Sequence, residues 1–218
     1  MSRRYPRRSA LQLAGAAGLV AVLPRTAPAE EPTCRVLQLV GEAWRDVGGT
    51  QSPLALGDGL SAGDRVGTGS DSKVKLLFVD GSALIVGPES EVGVAIFDPQ
   101  PKEGVALFLL LVGTLRVSVG DSVSWQSYEV QGGTAVASVR ATEWAMQVDA
   151  KGTAVLCVDG AVHVRPRLTG GTTPEPGMEG VVLQPGEGTD VAPNTAPTPP
   201  KTWGAARRDK LLALLTLP

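Results

Sequence analysis

Residues 138–165 read SVRATEWAMQVDAKGTAVLCVDGAVHVR, and the way this stretch alternates decides the fold class. Val139, Ala141, Glu143 and Ala145 take turns with Arg140, Thr142, Trp144 and Met146. A period of two is the signature of a β-strand, because successive side chains point to opposite faces. Arg140 and Trp144 then share a face. Two readings of that pair stand side by side: a buried, paired arginine that fixes strand register, or an arginine and an indole that together contact a ligand. Further on, Asp159-Gly160 separates TAVLCV (153–158) from AVHV (161–164). Asp-Gly between apolar strands is the strongest short-range hairpin signal, since a type I′ turn needs positive φ at both central residues. A two-residue loop would pair Val158 with Ala161. It would put Val155, Cys157, Val162 and Val164 on one face and Leu156, Val158 and His163 on the other. Cys157 therefore points into the core.

The same grammar extends outward from this stretch. Short apolar runs recur between Gly, Asp and Pro turns: VLQLV (36–40), KVKLLFV (73–79), ALIV (83–86), VGVAIF (92–97), VALFLLLV (105–112), TLRVSV (114–119), TAVASV (134–139), EWAMQV (143–148) and VVLQ (181–184). The chain has 27 Gly and 17 Pro in 218 residues, which suits many turns. Strands this short at this spacing predict an all-β fold of antiparallel strands, sandwich- or solenoid-like. With aromatics at only 4%, its core is expected to rest on Val, Leu and Ala. Asp80-Gly81 is a second hairpin signal, between KVKLLFV and SALIV. A two-residue loop there places Val74, Leu76, Phe78 and Ile85 on one face, with Leu77, Val79 and Leu84 on a second, fairly apolar one.

The two ends read differently. Residues 1–29 combine a basic start, an apolar stretch from Leu11 to Leu23 and a small-x-small end at Ala27-Pro28-Ala29. That is the layout of an export signal cleaved after Ala29. Arg7-Arg8 with Leu11 three residues on is similar to a twin-arginine signal, although Ala10 and Gln12 stand where an aromatic and a lysine are usual. The expected location is the periplasm, with no stable membrane span after cleavage; an uncleaved leader that retains the protein at the membrane is the alternative. The apolar stretch is shorter than the ~20 residues a membrane helix needs. At the other end, residues 193–201 read as a Pro-rich linker and 202–218 as a short helical tail with a leucine cluster. Between them, residues 35–192 form the β domain, with 166–180 as a loop.

Charge and chemistry narrow the function. From Glu30 onward there are 15 basic and 22 acidic side chains. An acidic domain argues against nucleic acid as a partner, because phosphate binding needs a basic face. Cys34 and Cys157 lack metal-ligand spacing, and in an oxidising compartment they form a disulfide if the N-terminal strand lies beside the 153–164 hairpin. His163 is the sole histidine, and its place in a strand reads as solvated rather than catalytic. Glu89, Glu91 and Asp98 are the acids from which a glycosidase-like pair would have to come. Asp58, Asp64 and Asp71 lie in a Gly-rich run that fits turns better than a calcium loop. No catalytic set, cofactor or metal is expected.

The runs at 66–92, 111–117, 134–164 and 181–191 together resemble the FecR domain family, in order, over roughly residues 36–192. The resemblance rests on a Thr-Gly before a strand, the Asp80-Gly81-Ser82 segment, the Gly113-Thr114-Leu115 strand, the Val139-Arg140 segment and the closing Leu183-Gln184-Pro185-Gly186-Glu187. Ala141 and Trp144 depart from the Gly and Phe usual in the family. The resemblance implies an extracytoplasmic all-β module. The best-known members are sigma-factor regulators for iron uptake that carry a cytoplasmic anti-sigma segment, a membrane helix and a periplasmic part that meets an outer-membrane receptor. Here an export signal stands where the cytoplasmic segment would be. The expectation is an exported, non-catalytic module that senses or binds an envelope protein or glycan within a signalling system. A membrane-retained sigma-factor regulator and a glycan-acting enzyme are the rivals.

Overall fold

The computed structural model describes residues 31–139, 143–167 and 178–218. The leader with Arg7, Arg8 and Ala29, residues Arg140–Thr142 and most of the stretch read as the 166–180 loop lie outside the described residues. Residues 31–218 make one compact unit.

The chain winds repeatedly between two faces. It starts in a first sheet with β1 (Cys34–Val40) and crosses to a second for β2 (Ala43–Val47) and β3 (Thr50–Pro53). It returns for β4 (Gly59–Leu60) and crosses again for β5 (Arg65–Thr68). β6 (Lys73–Phe78) and β7 (Ala83–Val86) lie in the first sheet, and β8 (Glu91–Asp98) in the second. β9 (Gly104–Ser118) belongs to both: its first half pairs with β8 and its second half with β7. β10 (Trp125–Gln131) and β11 (Ala135–Val139) continue the second sheet, and β12 (Glu143–Asp149) and β13 (Gly152–Asp159) the first. β14 (Val162–Pro166) and β15 (Val181–Leu183) end the second sheet; β16 (Glu187–Val191) and β17 (Lys201–Thr202) end the first, before helix α1 (Ala205–Leu214). The seventeen strands form one hydrogen-bonded network through β9. The fold is all-β with one short C-terminal helix, as the alternation predicts.

Inward residues of both faces share one core, from Val36, Leu76, Trp144 and Val155 on one side to Val92, Phe108, Tyr128 and Val164 on the other. Val, Leu and Ala dominate it, but all three phenylalanines meet Trp125 and Tyr128 in one aromatic cluster, with centroids 4.7–6.4 Å apart. Edge-to-face and tilted pairs of this kind add to area burial.

The two Asp-Gly turns differ from the sequence expectation. Asp159-Gly160 closes no hairpin: β13 pairs with β12 and β16, whereas β14 pairs with β11 and β15. The turn is a corner where the chain passes between faces. The facing pattern survives, because it comes from the pleat of each strand and not from its partner. Val155, Cys157, Val162 and Val164 are all in the core, and His163 is exposed. Asp80-Gly81 does close a hairpin, but Phe78 N–H donates to Ser82 O across three residues, Phe78 O accepts from Gly81 N–H, and only Gly81 of the loop has positive φ. The odd loop length shifts register by one, so Leu84 and Val86 join Val74 and Leu76 inside, and Ile85 faces out. The turn with positive φ at both positions is Gly48-Gly49, at +59° and +89°, between β2 and β3.

One pairing is parallel. β9 leaves the second sheet at its C-terminal half, so the chain must come back to the start of β9 before β10 can pair with it. β10 escapes simple alternation because a bulge between Trp125 and Ser127 breaks the period of its inward residues, Trp125, Tyr128 and Val130.

The strand adjacency on which a Cys34–Cys157 disulfide depends is absent. Cys34 and Cys157 are free and buried. Along the first sheet β1 and β13 are separated by β6, β7, β9 and β12, roughly 24 Å at about 4.8 Å per strand, whereas a disulfide needs Cα atoms within about 7 Å. Burial pushes the Cys34 thiol up to about 12 and Cys157 to about 11. Neither thiolate forms near neutrality, so both are expected to resist iodoacetamide in the native protein and to react within minutes in denaturant. Intact mass before and after unfolding checks this. A native mass two daltons light of the dithiol form would restore the disulfide.

The C-terminal segment is bound to the β domain. In the stretch read as a linker, Thr198 N–H donates to Asp190 O at 2.9 Å, and Thr189 Oγ1 donates to Thr198 O at 2.7 Å. Beyond it Trp203, Leu211 and Leu215 bury against Ala145 and Leu156 on the outer face of the first sheet, and Lys73 Nζ donates to the carbonyls of Ala213 and Thr216. Arg207 stacks on Trp203, 3.6 Å from the ring centroid, and donates to both oxygens of Asp190. Those hydrogen bonds hold the Asp190 carboxyl below its ordinary value of 3.8. A lowered folded value contributes stability above the unfolded value and loses it as pH falls through the folded one. Arg207→Ala is therefore expected to lower Tm at neutral pH, with the gap to wild type narrowing as pH falls from neutral to below the ordinary carboxyl value of 3.8. Melting curves of both proteins across that range check the sign; a constant gap would mean that Asp190 is not the partner that matters.

Candidate binding face

The polar residues that carry the sequence resemblance work at the corners of the winding. Asp80 and Ser82 are buried, and Asp80 Oδ1 accepts from Ser82 N–H at 3.0 Å. Ser82 Oγ donates to Asp80 Oδ2 and accepts from Gly120 N–H at 2.9 Å, which ties the β6–β7 turn to the end of β9. Thr68 Oγ1 donates to Gly87 O at 2.6 Å and accepts from Ser90 N–H at 3.1 Å. Ser90 Oγ in turn accepts from Thr114 N–H at 2.8 Å. These hydroxyls and the Asp80 carboxylate satisfy backbone groups that the sheet ladders leave unpaired at these turns. They are occupied by structure.

Four of the other candidate acids are similarly engaged. Asp58 and Asp64 each accept from a backbone N–H three residues earlier, at 2.9 and 2.8 Å, as turn residues do. Glu91 pairs with Arg65 at 2.9 Å, and Asp98 accepts from Gln100 at 2.9 Å. Among the described residues, no three His, Cys, Asp or Glu side chains gather as for a metal. Trp144 is fully buried between Val117 and Cys157 on neighbouring strands, as part of the core. Its proposed partner Arg140 lies outside the described residues. His163 sits exposed on β14, beside a surface ion pair of Arg165 and Glu129 at 3.1 Å.

The outer faces of the two sheets are unlike. The first is covered over β7, β12 and β13 by Trp203 and α1. On the second, β9 turns Val105, Leu107, Leu109 and Leu111 outward while Ala106, Phe108 and Leu110 fill the core. Leu111, Val112 and Ile96 of β8 are 45–47% exposed. The stripe is flanked by Gly93 on β8, opposite Leu109, and by Glu129 and Gln131 on β10. Sequence reading missed it for a physical reason: a strand apolar at both parities reads as buried on both sides. The same face carries Trp44 on β2, opposite Gly67 on β5.

This two-faced winding is found in known proteins. Residues 64–163 match the family described as FecR protein. The matched segment runs from β5 to β14 and includes the β9 stripe and the buried corner residues. β1–β4 and β15–β17 lie outside the match and complete the same sheets. Two crystal structures of a candidate anti-sigma factor from Parabacteroides distasonis ATCC 8503, at 2.50 and 1.65 Å resolution, share the fold with TM-scores of 0.50 and 0.51. Both are 15% identical to this chain, and the similarity covers 68% of it. It spans 63% and 64% of those chains, under two thirds of their length. No curated protein matches the chain by sequence. No helix among the described residues is long and apolar enough to cross a membrane.

Proposed function

We propose that this chain is an exported, non-catalytic FecR-domain module that serves a signalling regulator by binding an envelope protein on the outer face of its second sheet. The observation that carries the reading is the outward stripe of Leu107, Leu109 and Leu111 in the middle of the FecR segment. Apolar side chains aligned on an exposed strand and rimmed by polar neighbours mark protein contact surfaces. The export-signal pattern of residues 1–29 supports a periplasmic location. The engagement of the corner acids in structural hydrogen bonds supports a role in binding rather than catalysis.

A photo-crosslinking amino acid at position 109, compared with one at Leu37 on β1 of the first sheet, tests the reading in the native cell envelope. The expected result is a discrete adduct with a membrane regulator or outer-membrane receptor from position 109 and none from position 37. Adducts with cell-wall glycan alone would reassign the ligand. Equal labelling from both positions would remove the face from consideration.

A further inference from the structure

Two indoles in this protein lie face-down on a glycine. A Cβ added to Gly188 would stand 2.3 Å from Cε2 and 2.4 Å from Nε1 of Trp203; one added to Gly67 would stand 2.1 Å from both Cε2 and Cζ2 of Trp44. Cε2 is a ring-fusion atom, flanked in the ring plane by Nε1 and Cζ2. So close an approach to it comes through the ring face. Each indole thus spends one face on backbone and has the other to offer.

The two plates differ in what covers the second face. Trp203 is capped by the Arg207 guanidinium, whose charge is met by Asp190, and it is only 3% exposed. No cation stacks on Trp44 among the described residues, and it is half-buried. It borders an open groove of about 640 Å³ that is also lined by Glu42, Gln51, Ser52 and Pro53. Glu42 is exposed, and its carboxylate has no ion pair among the described residues. The Trp44 groove therefore repeats the Trp203 arrangement, an indole plate and a carboxylate, with the guanidinium missing.

We infer that the Trp44 groove binds an arginine side chain of a basic segment in the partner protein, with the guanidinium stacked on Trp44 and its charge met by Glu42. Stacking on an aromatic face and pairing with a carboxylate are the two interactions for which a planar guanidinium is suited. The excess of 22 acidic over 15 basic side chains from Glu30 onward favours approach of a basic segment. The inference deepens the reading of a partner-binding face, yet its test needs no partner.

The test is a titration of the full ¹⁵N-labelled chain with Nα-acetyl-arginine amide, followed at the Trp44 indole N–H, which Trp44→Phe assigns by loss of its signal. Nα-acetyl-norleucine amide and N-acetylglucosamine are run in parallel. The expected result is a saturable shift of the Trp44 signal with the arginine amide only, and an apparent Kd at least fivefold weaker in Glu42→Gln, whose other signals stay in place. No shift with the arginine amide, or a shift unchanged by Glu42→Gln, would overturn the inference and leave the β9 crosslinking test standing. A shift with N-acetylglucosamine alone would also overturn it and make the groove a glycan site.

Discussion

Replacing Gly113 by valine is expected to cost at least about 4 kcal/mol, enough to leave much of the chain unfolded. Gly113 is where β9 passes from the second sheet to the first. Its φ of +91° flips the parity of the strand: Ala106, Phe108 and Leu110 point inward before it, and Leu115 and Val117 after it. A β-branched residue at positive φ is strained on its own account. A Cβ here would also meet Ser90 at 2.1 Å from Oγ and 2.5 Å from Cα. The Ser90 hydroxyl could move, but its Cα could do so only by shifting the corner that Thr68 and Thr114 hold together. Gly48→Val is the control, because Gly48 has φ of +59° and nothing within 4 Å of its added Cβ. It should cost only about 1 kcal/mol. Urea melts of the two variants separate the conformational term from the collision. Equal losses would show that the contact with Ser90 is unimportant.

Trp144→Ala should be nearly as damaging, at about 3–5 kcal/mol, because it opens a cavity near the start of β12, between β9 and β13. Trp144→Phe should cost only about 1 kcal/mol. The indole N–H is buried with no hydrogen-bond partner among the described residues, and an unpaired buried donor costs about 1–3 kcal/mol. Phenylalanine removes that liability and keeps most of the ring volume, and it is the residue the family resemblance expects here. Chemical denaturation of both variants measures the difference. A phenylalanine variant as unstable as the alanine variant would mean that the indole N–H has a partner.

The candidate site was legible only in part. Arg140 and Trp144 stood out because two bulky polar-capable side chains interrupt an apolar strand, but Trp144 proves to be core. Trp44 drew no notice, since a lone Trp in AWRDV has no periodic context, and only the glycine opposite it on β5 makes it a plate. The β9 stripe was visible as letters and misleading as pattern. Whether its second face meets another layer depends on where α1 docks, and α1 chose the first sheet.

By itself the sequence determined what each strand does locally. The pleat sends alternate side chains to opposite faces whatever the partner, so Cys157, Val162 and Val164 were correctly placed in the core from letters alone. Gly and Asp mark most of the breaks between the described strands. The tertiary structure alone decided what each bend leads to. Asp80-Gly81 returns its strand to a neighbour and Asp159-Gly160 sends its strand across to the other sheet, although both carry the same two residues. That choice is made by contacts between strands far apart in sequence, such as β13 with β16 and β11 with β14, and no local signal encodes them. The same long-range pairing put four strands between β1 and β13, so the condition on which Cys34 and Cys157 would pair is not met.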